Sequence, residues 1–366
     1  MKKIMIAGAG KIGSAIAALL SATPDYDVTV VDASPAALAG LKVGPQVQRL
    51  TLDITDPLAL RAALRGQFAV LSAAPFHLTT PIAEAAVDAG VHYLDLTEDV
   101  ASTRRVKELA CTARSALIPQ CGLAPGFVSI VAADLCRRFD SLHSVRMRVG
   151  ALPQFPSNAL NYNLTWSTDG VINEYCEPCE AIVEGVLRQV PPLAEHEEFS
   201  LDGVTYEAFN TSGGLGTLCE TLPGRVTHLN YKTIRYPGHA AIMKMLINDL
   251  RLRERRHVLK DLLENALPVT LQDVVIVFVT VSGQREGRLM QETYAHKVYS
   301  HVTGGVLRSA IQITTAAGIC AVLDLLAEGL LPQRGFVRQE EIALGDFLAN
   351  RFGSAYAEHA EERAAA

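Results

Sequence analysis

The chain is expected to fold as an α/β protein of two domains: an N-terminal doubly wound parallel sheet, then a second α/β domain with a mixed, largely antiparallel sheet. Three observations carry this expectation. Strand and helix patterns alternate strictly over the first third, as in a parallel sheet covered on both faces. A glycine-rich turn follows the first strand, and an acid, Asp32, closes the second. After Gly126 the pattern changes to longer β-rich segments divided by glycine and proline turns, which suits antiparallel or mixed pairing.

Taken in order, the first-domain strands are predicted at 3–7, 27–32, 48–53, 68–72, 93–95 and 116–119. Helical spacing of apolar residues places helices at 12–20, 57–64, 81–89 and 103–115. Asp56 before Pro57 is a helix start, with an acceptor for free N–H groups and a ring that lacks one. A helix at 128–139 leads into the second domain, whose strands are predicted at 145–149, 161–166, 204–210, 226–235 and 274–282, with a hairpin near 283–287. The strongly apolar stretch 310–331, ended by Pro332, reads as a helix that returns to the first domain. The expected boundaries are 1–125, 126–305 and 306–350, with a tail at 351–366 frayed from Glu358.

With 366 residues, 49% hydrophobic and 20% charged, the chain has the composition of a globular protein too large for one core. The net charge of -6, without a Lys/Arg run, argues against nucleic acid and anionic membranes as partners. The apolar stretch 4–9 is too short for a bilayer span or a signal core. Seven scattered cysteines suit a reducing cytoplasm. Cys176 and Cys179 lack the second half of a four-ligand metal site, so no metal is expected.

The turn is Gly8-Ala9-Gly10-Lys11-Ile12-Gly13, a GxGxxG between a predicted strand and a predicted helix. Gly8 permits the tight turn, Gly10 the approach of a pyrophosphate, and Gly13 close helix–strand packing. Asp32, 19 residues past Gly13, stands where a carboxylate accepts from ribose hydroxyls. The first domain therefore reads as a Rossmann domain. A 2′-phosphate would meet that carboxylate, and Ala33-Ser34-Pro35 offers no cation to offset it, so NAD is expected over NADP. Further cofactor contacts are expected at the strand ends Asp53-Ile54 and Ala73-Ala74-Pro75.

Five segments carry a resemblance: the glycine turn, His92-Tyr-Leu-Asp-Leu-Thr97, Cys121-Gly-Leu-Ala-Pro-Gly126, Tyr206-Glu-Ala-Phe-Asn-Thr211 and Tyr231-Lys-Thr-Ile-Arg-Tyr-Pro-Gly-His239. Through them the chain resembles the saccharopine dehydrogenase-like oxidoreductases, over most of its length. Gly150-Ala-Leu-Pro153 departs from the family, which more often has a second glycine there. The resemblance implies a Rossmann domain, a mixed α/β substrate domain, C-terminal helices returning to the first domain, and a homodimer. Among family activities it points to NAD-dependent oxidation of the ε-amine of L-lysine, with ammonia released.

Cys121-Gly122 closes a strand of the parallel sheet, so both are expected at the nicotinamide end, Cys121 as a packing residue rather than a nucleophile. Arg235 lies in an aromatic, apolar context, and a planar guanidinium there suits a substrate carboxylate. Asn210 matches a family position that contacts substrate; Tyr162, Trp166 and His239 are further candidates for the pocket. Amine oxidation needs a base to take the ammonium proton and then help water attack the imine. Asp95, Glu98 and Lys232 are the candidates, with His239 also in reach of that role, while helix capping competes as an explanation for Thr97, Glu98 and Asp99. Two other readings stand beside lysine oxidation: a saccharopine or carboxynorspermidine dehydrogenase, and a non-catalytic NAD-sensing protein.

Overall fold

A computed structural model of the chain describes residues 1–303 and 305–357. The expected frayed tail from Glu358 lies outside the described residues. The chain divides into two compact units, one of Met1–Ile130 with the chain from Gln312 onward, the other of Val131–Ile311.

The first unit holds six parallel strands from its N-terminal part: β1 (Lys2–Ala7), β2 (Tyr26–Asp32), β3 (Gln48–Thr51), β4 (Ala69–Ser72), β5 (His92–Asp95) and β6 (Ala116–Ile118). Their order is β6-β5-β4-β1-β2-β3, with the short strand Gly335–Phe336 added beside β6. This is the doubly wound Rossmann order, and it reverses direction between β1 and β4. Ile4, Met5, Ile6 and Ala7 have no exposed surface, because a parallel strand is covered by helices on both faces. Asp56 caps helix Pro57–Leu64 through the N–H groups of Leu58 and Ala59, as its sequence suggests.

The helix expected at 103–115 is instead Val100–Ala110. Cys111, Thr112 and Ala113 donate to carbonyls three residues back, a tightening that ends the helix and turns the chain toward β6. The helix Ala310–Ala327 is long and apolar enough to cross a membrane, yet 78% of it is buried within the fold. Gly318 lets it close on the 121–122 loop: a Cβ there would stand 2.7 Å from the Cys121 carbonyl oxygen.

The second unit has an eight-stranded mixed sheet: β7 (Ser141–Pro153), β8 (Cys179–Val183), β9 (Val186–Val190), β10 (Glu197–Leu201), β11 (Val204–Asn210), β12 (Val226–Arg235), β13 (Asp273–Arg285) and β14 (Arg288–Tyr299). The main path runs β10-β11-β12-β7-β13-β14, and only β12 with β7 is parallel along it. Helices Thr168–Cys176, His239–Lys244 and Arg256–Ala266 cover the face that carries Phe209. Between the second and third of these, Met245–Asp249 winds as a π-helix.

The strand expected at 161–166 does not form; that stretch is irregular apart from one bridge, Leu164 to Val269. The Asn158 side chain bonds both the N–H and the C=O of Tyr162, so this backbone needs no strand partner. Its apolar residues Leu160, Tyr162 and Leu164 pack into the helical layer instead.

In the first unit, buried Asp324 accepts from Tyr26 Oη, Asn350 Nδ2 and two nitrogens of Arg351, tying the C-terminal segment to β2 and its sheet. Arg351 remains partly exposed, so water replaces part of what it would lose. Asp324→Ala should therefore cost on the order of 2 kcal/mol. Thermal unfolding checks this: a melting temperature unchanged from wild type would contradict the tie.

Candidate active site

The glycine turn leaves the end of β1, at the point where the strand order reverses. Gly8 has φ of +112°, a conformation that a side chain would strain. Gly13 lies so close to Gly8 that an added Cβ would stand 1.9 Å from its carbonyl oxygen. A Cβ on Gly10, by contrast, would project into open space. Helix Lys11–Ser21 starts there with no side-chain cap, so its first N–H groups remain available and its positive dipole end is open. Asp32 accepts from Ala9 N and Ser34 N, each at 2.8 Å. These two bonds fix the carboxylate beside the turn and leave lone pairs for a ribose. Open cradle, uncapped helix and fixed acid together fit a dinucleotide, with Gly10, Lys11, Ile12 and Gly13 at its pyrophosphate.

The other expected cofactor contacts differ in character. Ala73 and Ala74 are half-buried, and the Ala73 carbonyl lies 2.7 Å from the place of a Gly8 Cβ, so the two turns meet backbone to backbone. Pro75 is exposed. Asp53 is exposed too, and Thr55 holds its carboxylate below the usual range through a hydroxyl and an N–H. Ile54 is a core residue, packed with Leu52, Leu60 and Leu64, so only its backbone remains for an adenine. Gly122 is buried, and an added Cβ would meet the Pro125 carbonyl oxygen at 3.4 Å, an ordinary packing contact. Cys121 is buried; its thiol bonds the Ile118 carbonyl, receives Gln339 Nε2, and is pushed far up by burial. A thiol so buried and hydrogen-bonded suits a packing role better than a thiolate nucleophile.

The acids after β5 take separate tasks. Asp95 is buried and accepts from Tyr93 Oη, Thr97 N and Gln120 N. Burial pushes it up to about 6 against those three bonds. Its lone pairs thus shape the turn at Gln120, a positioning task rather than that of an open base. Asp99 caps helix Val100–Ala110 through Ser102 N. Glu98 does neither. It is of intermediate exposure, but its carboxyl is enclosed enough that burial pushes it up to about 7, with Asp99 and Asp95 adding repulsion. Its own backbone N–H is the hydrogen bond that opposes the shift.

In the second unit Arg235 ends β12 and is among the largest fully buried side chains. Its Nε donates to Tyr175 Oη at 3.0 Å and one terminal nitrogen to the Ile234 carbonyl at 2.8 Å. The ring of Tyr162 lies 5.0 Å from its guanidinium carbon, that of Tyr175 5.9 Å. Among the described residues no carboxylate comes within ion-pair distance of Arg235. Burial opposes its charge, but the tyrosine oxygens and Glu174 outweigh it and keep it protonated. His239 is buried beside it and donates from Nδ1 to the Leu160 carbonyl. Burial and Arg235 push its pKa down to about 3, so it is neutral and not a proton carrier near neutrality. Tyr162 Oη and Thr165 Oγ1 are buried without a hydrogen-bond partner of proper geometry. Trp166 lies across Gly170, where an added Cβ would stand 2.3 Å from its ring.

Lys232 and Asn210 do not join this group. They pair with each other across β11 and β12, while Arg235 pairs with Glu207. Side chains alternate along a strand, so residues three apart point to opposite faces. On that far face Lys232 Nζ is committed to Glu197 and the Glu195 carbonyl, and Arg148 grips the same Glu197. A paired ammonium is a poor base, which removes the ground for reading Lys232 as a proton acceptor. Asn210 donates to the Pro191 carbonyl at 3.4 Å and its Oδ1 is unpartnered.

Sequence reading missed Tyr175, which rides on the unforeseen helix Thr168–Cys176. A signal was present: Ser167 before Thr168-Asp169 is an N-cap with an acid in the first turn, and Ser167 does cap Gly170 N. Surface cavities of about 670 Å³ near Tyr26 and 730 Å³ near Pro191 lie at neither cluster.

Fold and turn define a Rossmann-type nucleotide-binding protein with a mixed-sheet second unit. Residues 4–117 match the saccharopine dehydrogenase NADP binding domain, and residues 122–352 the saccharopine dehydrogenase C-terminal domain. The chain belongs to the saccharopine dehydrogenase-like family. Saccharopine dehydrogenase [NADP(+), L-glutamate-forming] of Saccharomyces cerevisiae is 24% identical over 177 residues, 47% of this chain and 40% of that protein. Mitochondrial alpha-aminoadipic semialdehyde synthase of Rattus norvegicus is 22% identical over 200 residues, 50% of this chain and 21% of that protein. The chain thus spans less than half the length of these curated relatives. Apo saccharopine dehydrogenase (L-Glu forming) of S. cerevisiae has a similar structure, with a TM-score of 0.79 at 16% identity, covering 95% of this chain and 97% of that one. Homospermidine synthase of Legionella pneumophila, solved with NAD, gives 0.66 at 13% identity, covering 98% and 90%. At these identities the likeness is one of fold.

Proposed function

We propose that the chain is an NAD-dependent amine oxidoreductase, and specifically a lysine 6-dehydrogenase. It would oxidise the ε-amine of L-lysine to 2-aminoadipate 6-semialdehyde, which cyclises on its own amine, with NADH and ammonia as co-products. The observation that carries an amino-acid substrate is Arg235, a buried guanidinium that donates to a tyrosine hydroxyl and a backbone carbonyl, with no carboxylate in ion-pair contact among the described residues. An α-carboxylate would complete it, with the aromatic surfaces of Tyr162 and Trp166 beside the methylene chain. The choice of lysine itself rests on the motif resemblance.

When bound, NAD supplies the hydride acceptor. The chain's own residues supply binding and proton handling. The ammonium must lose a proton before its carbon can release hydride, and water must lose one as it adds to the imine. Glu98, pushed up to about 7, is suited to both because it exchanges protons near neutrality. NAD rather than NADP is favoured by Asp32, although the names of the yeast relative and of the matching domain carry NADP.

One observation favours a second reading. Arg308 is buried, its Nε has no partner, and burial lowers its pKa with no charge to offset it. It precedes Ala310, whose N–H donates to Asp273, and Asp273 pairs with Pro153 on β7, the strand beside β12. Arg308 thus lies near in sequence to the segment that bonds Asp273, at the end of the sheet where Arg235 closes β12. Two buried guanidiniums suit a secondary amine carrying a further carboxylate, such as saccharopine or carboxynorspermidine.

Three outcomes are expected. NAD should be strongly preferred over NADP, and Asp32→Ala should erode the preference; equal use of both by the unaltered enzyme would remove the basis of the cofactor reading. The rate should rise with pH through about 7, since a base acts when deprotonated, and Glu98→Gln should abolish that limb; a limb that survives the substitution assigns it to another group. L-Lysine should give NADH and ammonia in equal amounts, and Arg235→Ala should raise its KM roughly 10- to 150-fold. NADH from saccharopine without ammonia, lost in Arg308→Ala, would replace lysine by the second reading.

A further inference from the structure

A cation buried in protein normally has a carboxylate against it, and the absence of one at Arg235 raises the question of what holds the side chain in place. The answer lies in three neutral groups. Arg235 Nε can only donate, so Tyr175 Oη accepts from it at 3.0 Å. Tyr175 Oη also lies 3.0 Å from His239 Nε2. The Leu160 carbonyl, 3.0 Å from His239 Nδ1, can only accept, which places the ring proton on Nδ1. Nε2 of the neutral ring is then an acceptor, and the Tyr175 hydroxyl must donate to it. The chain of bonds therefore runs one way, from Arg235 to Tyr175 to His239 to Leu160.

We propose that Tyr175 and His239 are positioning residues of the carboxylate site: their one-way hydrogen-bond relay aims the Arg235 guanidinium through neutral contacts and leaves its remaining N–H groups to an anionic ligand. A carboxylate in place of Tyr175 would hold Arg235 equally well but would compete with the ligand for its charge. Lys232 shows the contrast within the same strand, since its ammonium is already paired with Glu197. The relay and the Ile234 carbonyl use two of the five guanidinium N–H groups, and three remain for a ligand. The rings of Tyr162 and Tyr175 against Arg235 hold it laterally without cancelling its charge. His239 is itself fixed at the start of helix His239–Lys244, whose N–H groups at Gly238 and Ala240 are bonded by Glu207. Tyr175 comes from the separate helix Thr168–Cys176, so two elements meet at the relay.

This inference rests on the reading of Arg235 as the carboxylate anchor, and the two can fail separately. The full-length protein is assayed with NAD and with L-lysine or its carboxamide, alongside NAD affinity by calorimetry. Tyr175→Phe, which removes one oxygen, should raise the KM for lysine about tenfold. It should narrow the preference for acid over amide by a similar factor while NAD affinity stays put. His239→Gln retains an acceptor for the Tyr175 hydroxyl and should restore most of the preference that His239→Leu loses. A merely structural role would lower activity without changing the acid-to-amide ratio, and that result overturns the relay. If His239→Leu does not fold, Tyr175→Phe and His239→Gln still decide. If Arg235→Ala itself leaves KM and the acid-to-amide ratio unchanged, the anchor reading falls and the relay with it. If Arg235→Ala collapses the ratio and Tyr175→Phe does not, the relay alone is wrong.

Discussion

A guanidinium taken out of water loses hydration worth several kcal/mol unless the protein or a ligand answers its charge. The second unit is organised around one such group. Arg235 lies at the end of β12, under a layer of helices that supplies Tyr162, Tyr175 and His239. None of these is anionic near neutrality, so the groups in contact with the cation hold it by hydrogen bonds and ring faces, and Glu174 adds its field without an ion pair. Two features nearby answer this demand: Asn158 braces the irregular backbone that brings Tyr162, and Glu207 fixes the helix start that brings His239.

The other face of the same strands shows the opposite solution. Arg148 and Lys232 share Glu197, so each cation there has a carboxylate in direct contact. The alternation of a β-strand keeps the two arrangements apart, although only three residues separate Lys232 from Arg235. Paired charges stabilise a sheet; an unpaired one poises it for binding. Arg308, buried with its Nε unpartnered, is a second cation of that kind.

In the first unit the sorting acts on acids. Backbone N–H groups at the ends of parallel strands and at helix starts need acceptors, and most nearby carboxylates are spent on them. Asp32 serves Ala9 and Ser34, Asp95 serves Thr97 and Gln120, and Asp99 serves Ser102. Glu98 accepts from its own N–H rather than from a neighbouring turn or helix start, and it is enclosed, so its proton is held to about 7. Distinguishing Glu98 from Asp95 and Asp99 is a matter of who bonds whom.

The sequence by itself determined the Rossmann unit, its glycine turn with Asp32, and a mixed sheet after it. Those features depend on short-range spacing: a strand, a turn of fixed length and a helix start within a few residues of one another. Arg235 was legible for a similar reason, since its aromatic and apolar neighbours stand beside it in the chain. The tertiary structure alone decided which candidates act together. Lys232 and Asn210 fell away because their strand parity and their partners, Glu197 and Pro191, are set by pairing with distant segments. Tyr175 entered because packing brought its helix to Arg235 across 60 residues of chain. Whether a charge is answered depends on which residues the fold brings within a few ångströms of it, and separation along the chain does not report that distance.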